Sequence, residues 1–153
     1  SDENRNDLIA DGICDALERK RVPLVVSDRK EHLRLLREIV RLRIELRGAV
    51  LEVVQGGQTA NARRDSIGRF TRTVSEGRSA VLFATASMLG EGFDLPVLDT
   101  LFLAMPISFP GRLVQYVGRL HRQSPGKTSV EVFDYLDERL PLACSMYRKR
   151  MPG

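Results

Sequence analysis

Cysteine is scarce and long apolar runs are missing, and each absence removes a class of protein. Cys14 and Cys144 stand far apart with no C-x-x-C partner, so neither a metal site nor a disulfide is expected, and both read as small buried hydrophobes. No apolar stretch approaches the roughly eighteen residues that cross a bilayer. The opening Ser1-Asp2-Glu3-Asn4-Arg5-Asn6-Asp7 is acidic and polar rather than signal-like. The expectation is a soluble, cytoplasmic protein with no membrane partner. Also missing are a G-x-x-x-x-G-K-[ST] loop and an Asp-Glu pair closing a buried strand, the groups that grip a nucleoside triphosphate and its magnesium. Gly126-Lys127-Thr128 matches only the end of such a loop. The required first glycine would fall at His121, and a strand follows where a helix is needed. Asp137-Glu138 comes too late in the chain to serve as the acidic pair.

What is present is ordinary globular material. Of 153 residues, 42% are hydrophobic and 29% charged, enough for one domain with its own core and no interdomain linker. The net charge of +4 permits a polyanionic partner without requiring one. Arg34, Arg37, Arg41, Arg43 and Arg47 read as the solvated face of one helix.

Hydrophobic spacing predicts alternating helices and strands. Asn6 to Arg19 carries Leu8, Ile9, Ile13, Ala16 and Leu17 at helical intervals, with Asn6 or Asp7 available to cap. Pro23 to Ser27 reads as a buried strand. Asp28 to Leu46 forms a long helix capped by Ser27 or Asp28, with two apolar sets, Leu33, Leu36, Val40 and Leu35, Ile39, Leu42. Val50 to Val54 is a second strand and Gly56-Gly57 a break. Ala62 to Ser75 is a helix turning Ile67, Phe70 and Val74 inward. Further strands are expected at Val81 to Ala84, Thr100 to Ala104 and Val130 to Tyr135, with helices from Gly111 to His121 and Leu140 to Lys149. Such alternation implies parallel βαβ units, hence an α/β three-layer sandwich with a mainly parallel sheet of about five or six strands. Within the single domain 1–153, residues 1–21 form a lead-in helix, 22–136 the sheet and its helices, and 137–153 a closing helix.

The chemistry concentrates in Gln115-Tyr116-Val117-Gly118-Arg119-Leu120-His121-Arg122, which follows Leu89-Gly90-Glu91-Gly92-Phe93-Asp94-Leu95-Pro96 by about one strand. On a helix Gln115, Arg119 and Arg122 share a face, with Val114, Val117 and Leu120 expected to turn inward. Two convergent guanidiniums, charged at any working pH and fork-shaped, suit a polyphosphate. In an open parallel sheet, ligands bind beyond the carboxyl ends of the strands, where Thr85, Gly92, Asp94 and the arginine helix would meet.

These residues resemble the superfamily 2 helicases and translocases, in particular the second of their two RecA-like motor domains. Ala84 to Pro96 resembles helicase motif V, and Gln115 to Arg122 resembles motif VI in its Q-x-x-G-R-x-x-R form. The likeness extends more loosely from Val22 to Asp134. It implies that Arg119 and Arg122, with Gln115, act catalytically as arginine fingers on ATP held mainly by a first RecA-like domain absent from this chain. It further implies that Gly92, Asp94 and Gly118 adjoin the nucleotide, and that Thr85, Arg29, Gln55 and Gly56-Gly57 contact the phosphates of a nucleic acid strand. ATP and magnesium would be cofactors of the larger motor, and this chain alone would hydrolyse nothing. Each contact has a plainer reading: a helix-capping arginine, a surface ion pair, a simple turn at Gly56-Gly57, a capping Thr85.

Glu91 and Gln115-Tyr116-Val117 look closer to the restriction-subunit and DNA-repair type than to DEAD-box proteins, which usually show R-G-x-D and H-R-x-G-R. DNA is therefore the expected partner, along with the N-terminal domain of the same motor. A non-hydrolysing nucleic-acid- or protein-binding module of the same fold is the rival reading. A stand-alone flavodoxin-like enzyme would need a glycine loop where Asp28-Arg29-Lys30 stands. His32 and His121 are not expected to act.

Overall fold

Strands buried on both faces need no alternation of polar and apolar residues, and three segments here are continuous apolar runs for that reason. They are β1 (Pro23–Ser27), β3 (Ala80–Thr85) and β4 (Thr100–Leu103), buried at every position. The computed structural model describes residues 2–44, 48–90, 95–104, 110–123, 130–135 and 148–150. In these, β1 pairs in parallel with β3 and β4, β2 (Val50–Val54) with β3, and β4 with β5 (Glu131–Asp134). A final antiparallel strand, β6 (Arg148–Arg150), adds to β5. The sheet order is β2-β3-β1-β4-β5-β6, so the expected three-layer α/β sandwich with a mainly parallel sheet is what forms.

Side chains alternate across a strand, and the sheet therefore divides two cores. Val25, Val81, Phe83 and Phe102 point toward α1 (Asp2–Glu18) and α2 (Lys30–Ile44), meeting Ile9, Ile13, Leu33, Leu36 and Val40. Leu24, Val26, Leu82, Ala84, Leu101 and Leu103 point the other way. They meet Phe70 of α3 (Ala60–Ser75), Tyr116, Val117 and Leu120 of α4 (Pro110–Gln123), and Met88 and Leu89 of a 3₁₀ turn (Ala86–Gly90). Thr59 starts α3 by accepting from the Ala62 N–H at 3.1 Å.

Several sequence expectations are corrected. Of the two apolar sets on α2 only Leu33, Leu36 and Val40 are buried, joined by Ile44, whereas Leu35 and Leu42 are 50% and 59% exposed. One helix cannot seat both stripes on one sheet, and only Ile39 of the second set reaches the core. Val114 is likewise exposed, its inward place taken by Tyr116, which lies on the same stripe as Val117 and Leu120. Neither Asn6 nor Asp7 caps α1, which begins earlier, at Asp2. Cys14 is half-buried rather than buried, and Cys144 lies outside the described residues. The helix expected over Leu140 to Lys149 is a strand at Arg148 and Lys149, because β5 offers an open edge; 140–147 lie outside the described residues.

At Gly12 of α1 the backbone comes close to the sheet. A Cβ there would stand 2.6 Å from the Tyr135 hydroxyl and 2.9 Å from the Phe102 ring. That ring is itself fixed by stacking on Phe133 at 5.0 Å. Gly12→Ala should therefore destabilise the fold by about 1–2 kcal/mol despite alanine's better helix propensity. A lowered urea midpoint with an unchanged m-value would register it.

Candidate nucleotide and nucleic-acid edge

Parallel pairing brings the carboxyl ends of β1, β2 and β3 side by side, with Ser27 opposite Thr85 and Val54 opposite Ala84. The chain leaves β1 toward β2 but leaves β3 and β4 in the opposite direction, which opens a crevice at β1. Gly56, in the turn after β2, donates its N–H to Thr85 Oγ1 at 3.2 Å, and that hydroxyl lies 3.3 Å from Ser87 Oγ. Two of the expected contact residues are thus joined directly. Gly57 has φ of +90°, a conformation side chains rarely adopt, and a Cβ there would lie 3.2 Å from Lys30 Nζ. The turn and the start of α2 face each other across this rim.

Arg29 is exposed at the same rim. Its N–H is held by Ser27 Oγ at 3.2 Å, and Ser27 Oγ lies 3.2 Å from His32 Nδ1. His32 Nε2 in turn lies 2.8 Å from Asn6 Oδ1 of α1. An amide oxygen only accepts, so Nε2 carries the proton, Nδ1 accepts from the Ser27 hydroxyl, and that hydroxyl accepts from Arg29. His32 thereby ties α1 to the rim, a role the sequence reading did not foresee. Gln55 is less available than expected. Its N–H is taken by Gln58 Oε1 at 2.9 Å, and its own Oε1 is buried with no hydrogen-bond partner among the described residues. Lys30 and Ser87 were also missed, although Lys30 adjoins Arg29 in sequence.

On the opposite face α4 packs against the 3₁₀ turn that follows β3. Tyr116, Val117 and Leu120 are buried there, Gly118 and Arg119 are half-buried, and Gln115 is exposed. The Arg119 guanidinium carbon lies over the Tyr116 ring, 5.8 Å from its centroid. No carboxylate pairs with Arg119 among the described residues. Arg122 stands one turn further along α4; its side chain, and Gly92 and Asp94 altogether, lie outside the described residues.

Other arginines are occupied. Arg41 binds Glu38 through two hydrogen bonds, which hold that carboxyl below its ordinary range. Arg43 pairs with Asp7 and Asp11 of α1. Arg69 grips Glu52 with two hydrogen bonds of 3.0 and 3.1 Å, and its own pKa rises as a result. At the far end of the sheet, Arg19 and Arg21 converge on Glu131.

The family described as helicase conserved C-terminal domain matches residues 5–124. No curated protein matches in sequence. Among solved structures, the C-terminal part of the Fun30 ATPase domain aligns with a TM-score of 0.63 at 17% identity, covering 79% of this chain and 36% of that one. Domain 2 of the DEAD-box helicase Mss116p, solved bound to an RNA duplex, aligns with a TM-score of 0.59, also at 17% identity, covering 91% of this chain and 54% of that one. At that identity the likeness is one of fold, and the chain spans between a third and just over half of the chains it resembles.

Proposed function

Since the chain belongs to the helicase conserved C-terminal domain family, we propose that it is the closing lobe of an ATP-driven motor that moves along nucleic acid. A first RecA-like lobe would bind ATP and magnesium. The observation that carries the reading is the packing of α4 on the turn at the end of β3, with Arg119 making no ion pair among the described residues. In this reading Gln115, Arg119 and Arg122 face the triphosphate across the cleft, where Gly92, Asp94 and Gly118 line the approach. The half-buried guanidinium of Arg119, bound by no carboxylate among the described residues, fits a polyanion. Bound ATP would supply the phosphoanhydride to be cleaved. The arginines would neutralise charge on its outer phosphates, and their engagement and release would couple lobe closure to movement.

The rim of Arg29, Lys30, Gly56, Gly57 and Thr85 would grip the strand's phosphates. Small and hydroxyl residues let the strand approach closely while the two cations hold it, and such contacts ignore base sequence. Gln55 would join them after its amide swings out of the burial it now occupies. DNA is the proposed substrate. In fluorescence anisotropy, the Arg29→Ala/Lys30→Ala double variant should bind labelled DNA more weakly, and its log K against log salt slope should be shallower by about 1–2. An unchanged slope would remove the rim from the interface, and tighter binding of the same sequence as RNA would reverse the choice of substrate.

A further inference from the structure

An arginine finger must be flexible enough to enter a partner's site and ordered enough to arrive in one geometry. Arg119 is held in a way that meets both needs. Its guanidinium sits over the face of Tyr116, three residues earlier on α4. Tyr116 is fully buried, in the same core as Met88 and Leu89 of the turn after β3. The ring cannot shift without disturbing that core.

The mode of attachment matters. Arg41 and Arg69 are held through N–H groups donated to carboxylates, which leaves fewer donors for a ligand. A ring face attracts the cation as a whole and uses up no N–H donor, so among the described residues the planar donors of Arg119 stay available for phosphate oxygens. A neighbouring carboxylate would also cancel the charge that the triphosphate needs.

We infer that Tyr116 is a positioning residue, whose ring pre-orients the Arg119 guanidinium toward the nucleotide before the lobes close. It touches no reacting atom. The inference rests on the arginine-finger reading above, and it adds that turnover depends on the ring and not merely on an apolar side chain of similar size.

The test is made in the polypeptide that carries both lobes, comparing Tyr116→Phe, Tyr116→Leu and Arg119→Ala for kcat, KM for ATP, DNA affinity and thermal unfolding. Tyr116→Leu should lower kcat roughly tenfold while KM and DNA affinity stay within about twofold, and Tyr116→Phe should restore most of the loss. If the leucine variant does not fold, Tyr116→Met, large and apolar but ringless, is held to the same kcat criterion. Turnover within twofold of the parent in a folded ringless variant overturns the inference. So does a parallel loss of DNA affinity, the mark of general packing damage, or failure of phenylalanine to rescue. Normal turnover in Arg119→Ala is a different result: it removes the finger reading itself.

Discussion

On the proposed finger reading, Arg122→Ala should lower nucleic-acid-stimulated ATP turnover by on the order of a thousandfold or more, and Arg119→Ala should do the same, with thermal unfolding of both variants unchanged. The expectation follows from what phosphoryl transfer asks of a protein, mostly position and charge, so that in the proposed arrangement removing one cation from the outer phosphates would remove much of what this lobe contributes. The fold should not notice. Among the described residues Arg119 makes no ion pair, and its contact with the Tyr116 face contributes on the order of 1 kcal/mol at a partly exposed site. The measurement is steady-state hydrolysis with saturating DNA in the two-lobed polypeptide. Near-normal turnover for either variant would strip that arginine of its role, and steady hydrolysis by the present chain alone would contradict the two-lobe arrangement.

Glu131→Ala should produce the largest loss of stability of any single polar substitution considered. Its side chain is 4% exposed, with Arg19 Nη1 and Nη2 each 3.3 Å from Oε1 and Arg21 Nη2 3.8 Å away. Arg21 also donates to Thr100 Oγ1 at 3.0 Å and to the Asp99 carbonyl at 2.8 Å, and Asp99 Oδ1 accepts from the Val22 N–H at 2.8 Å. One cluster therefore stitches the end of α1 to the beginnings of β1, β4 and β5. Removing the carboxylate leaves a void beside Arg21, 16% exposed, whose remaining carboxylate partner in the cluster is Asp99 Oδ1 at 3.5 Å. Breaking such pairs costs about 3–5 kcal/mol, and the lower end applies because Arg19 remains about one-third exposed and Arg21 keeps its pair with Asp99. Thermal unfolding should fall by about 6–12 °C, with Glu131→Gln, which keeps shape and one acceptor, falling less. A midpoint within a degree of the parent would mean that the cluster is decoration.

That cluster shows where sequence reading stops. The parallel strands could be read because β-branched apolar runs leave few alternatives, and the element order followed from their alternation with helices. Residue Glu131 could not be read, because its partner Arg19 lies 112 positions away and nothing local distinguishes a buried glutamate from a solvated one. On α2 the spacing revealed two apolar stripes but not which would meet the sheet, since periodicity fixes faces relative to each other and not to a neighbour. The β6 pairing was invisible for a related reason: a strand edge recruits its partner through backbone groups that every residue carries. At the rim, Thr85 was named for its place in the motif V stretch and Gly56 for its place after the second strand, whereas Ser87 and Lys30 depended on how two turns approach. A lone histidine such as His32 announces nothing until Asn6 and Ser27 appear on either side of its ring.

The sheet keeps its two faces apart, with the arginine helix and the turn beneath it on one side and α1 and most of α2 on the other. Energetic changes separated by such a partition, sharing no partners, tend to add rather than interfere. Substitutions on the outward side of α2, such as at the exposed Leu35 and Leu42, can therefore accumulate for new company or a different climate while the packing beneath α4 stays as it is.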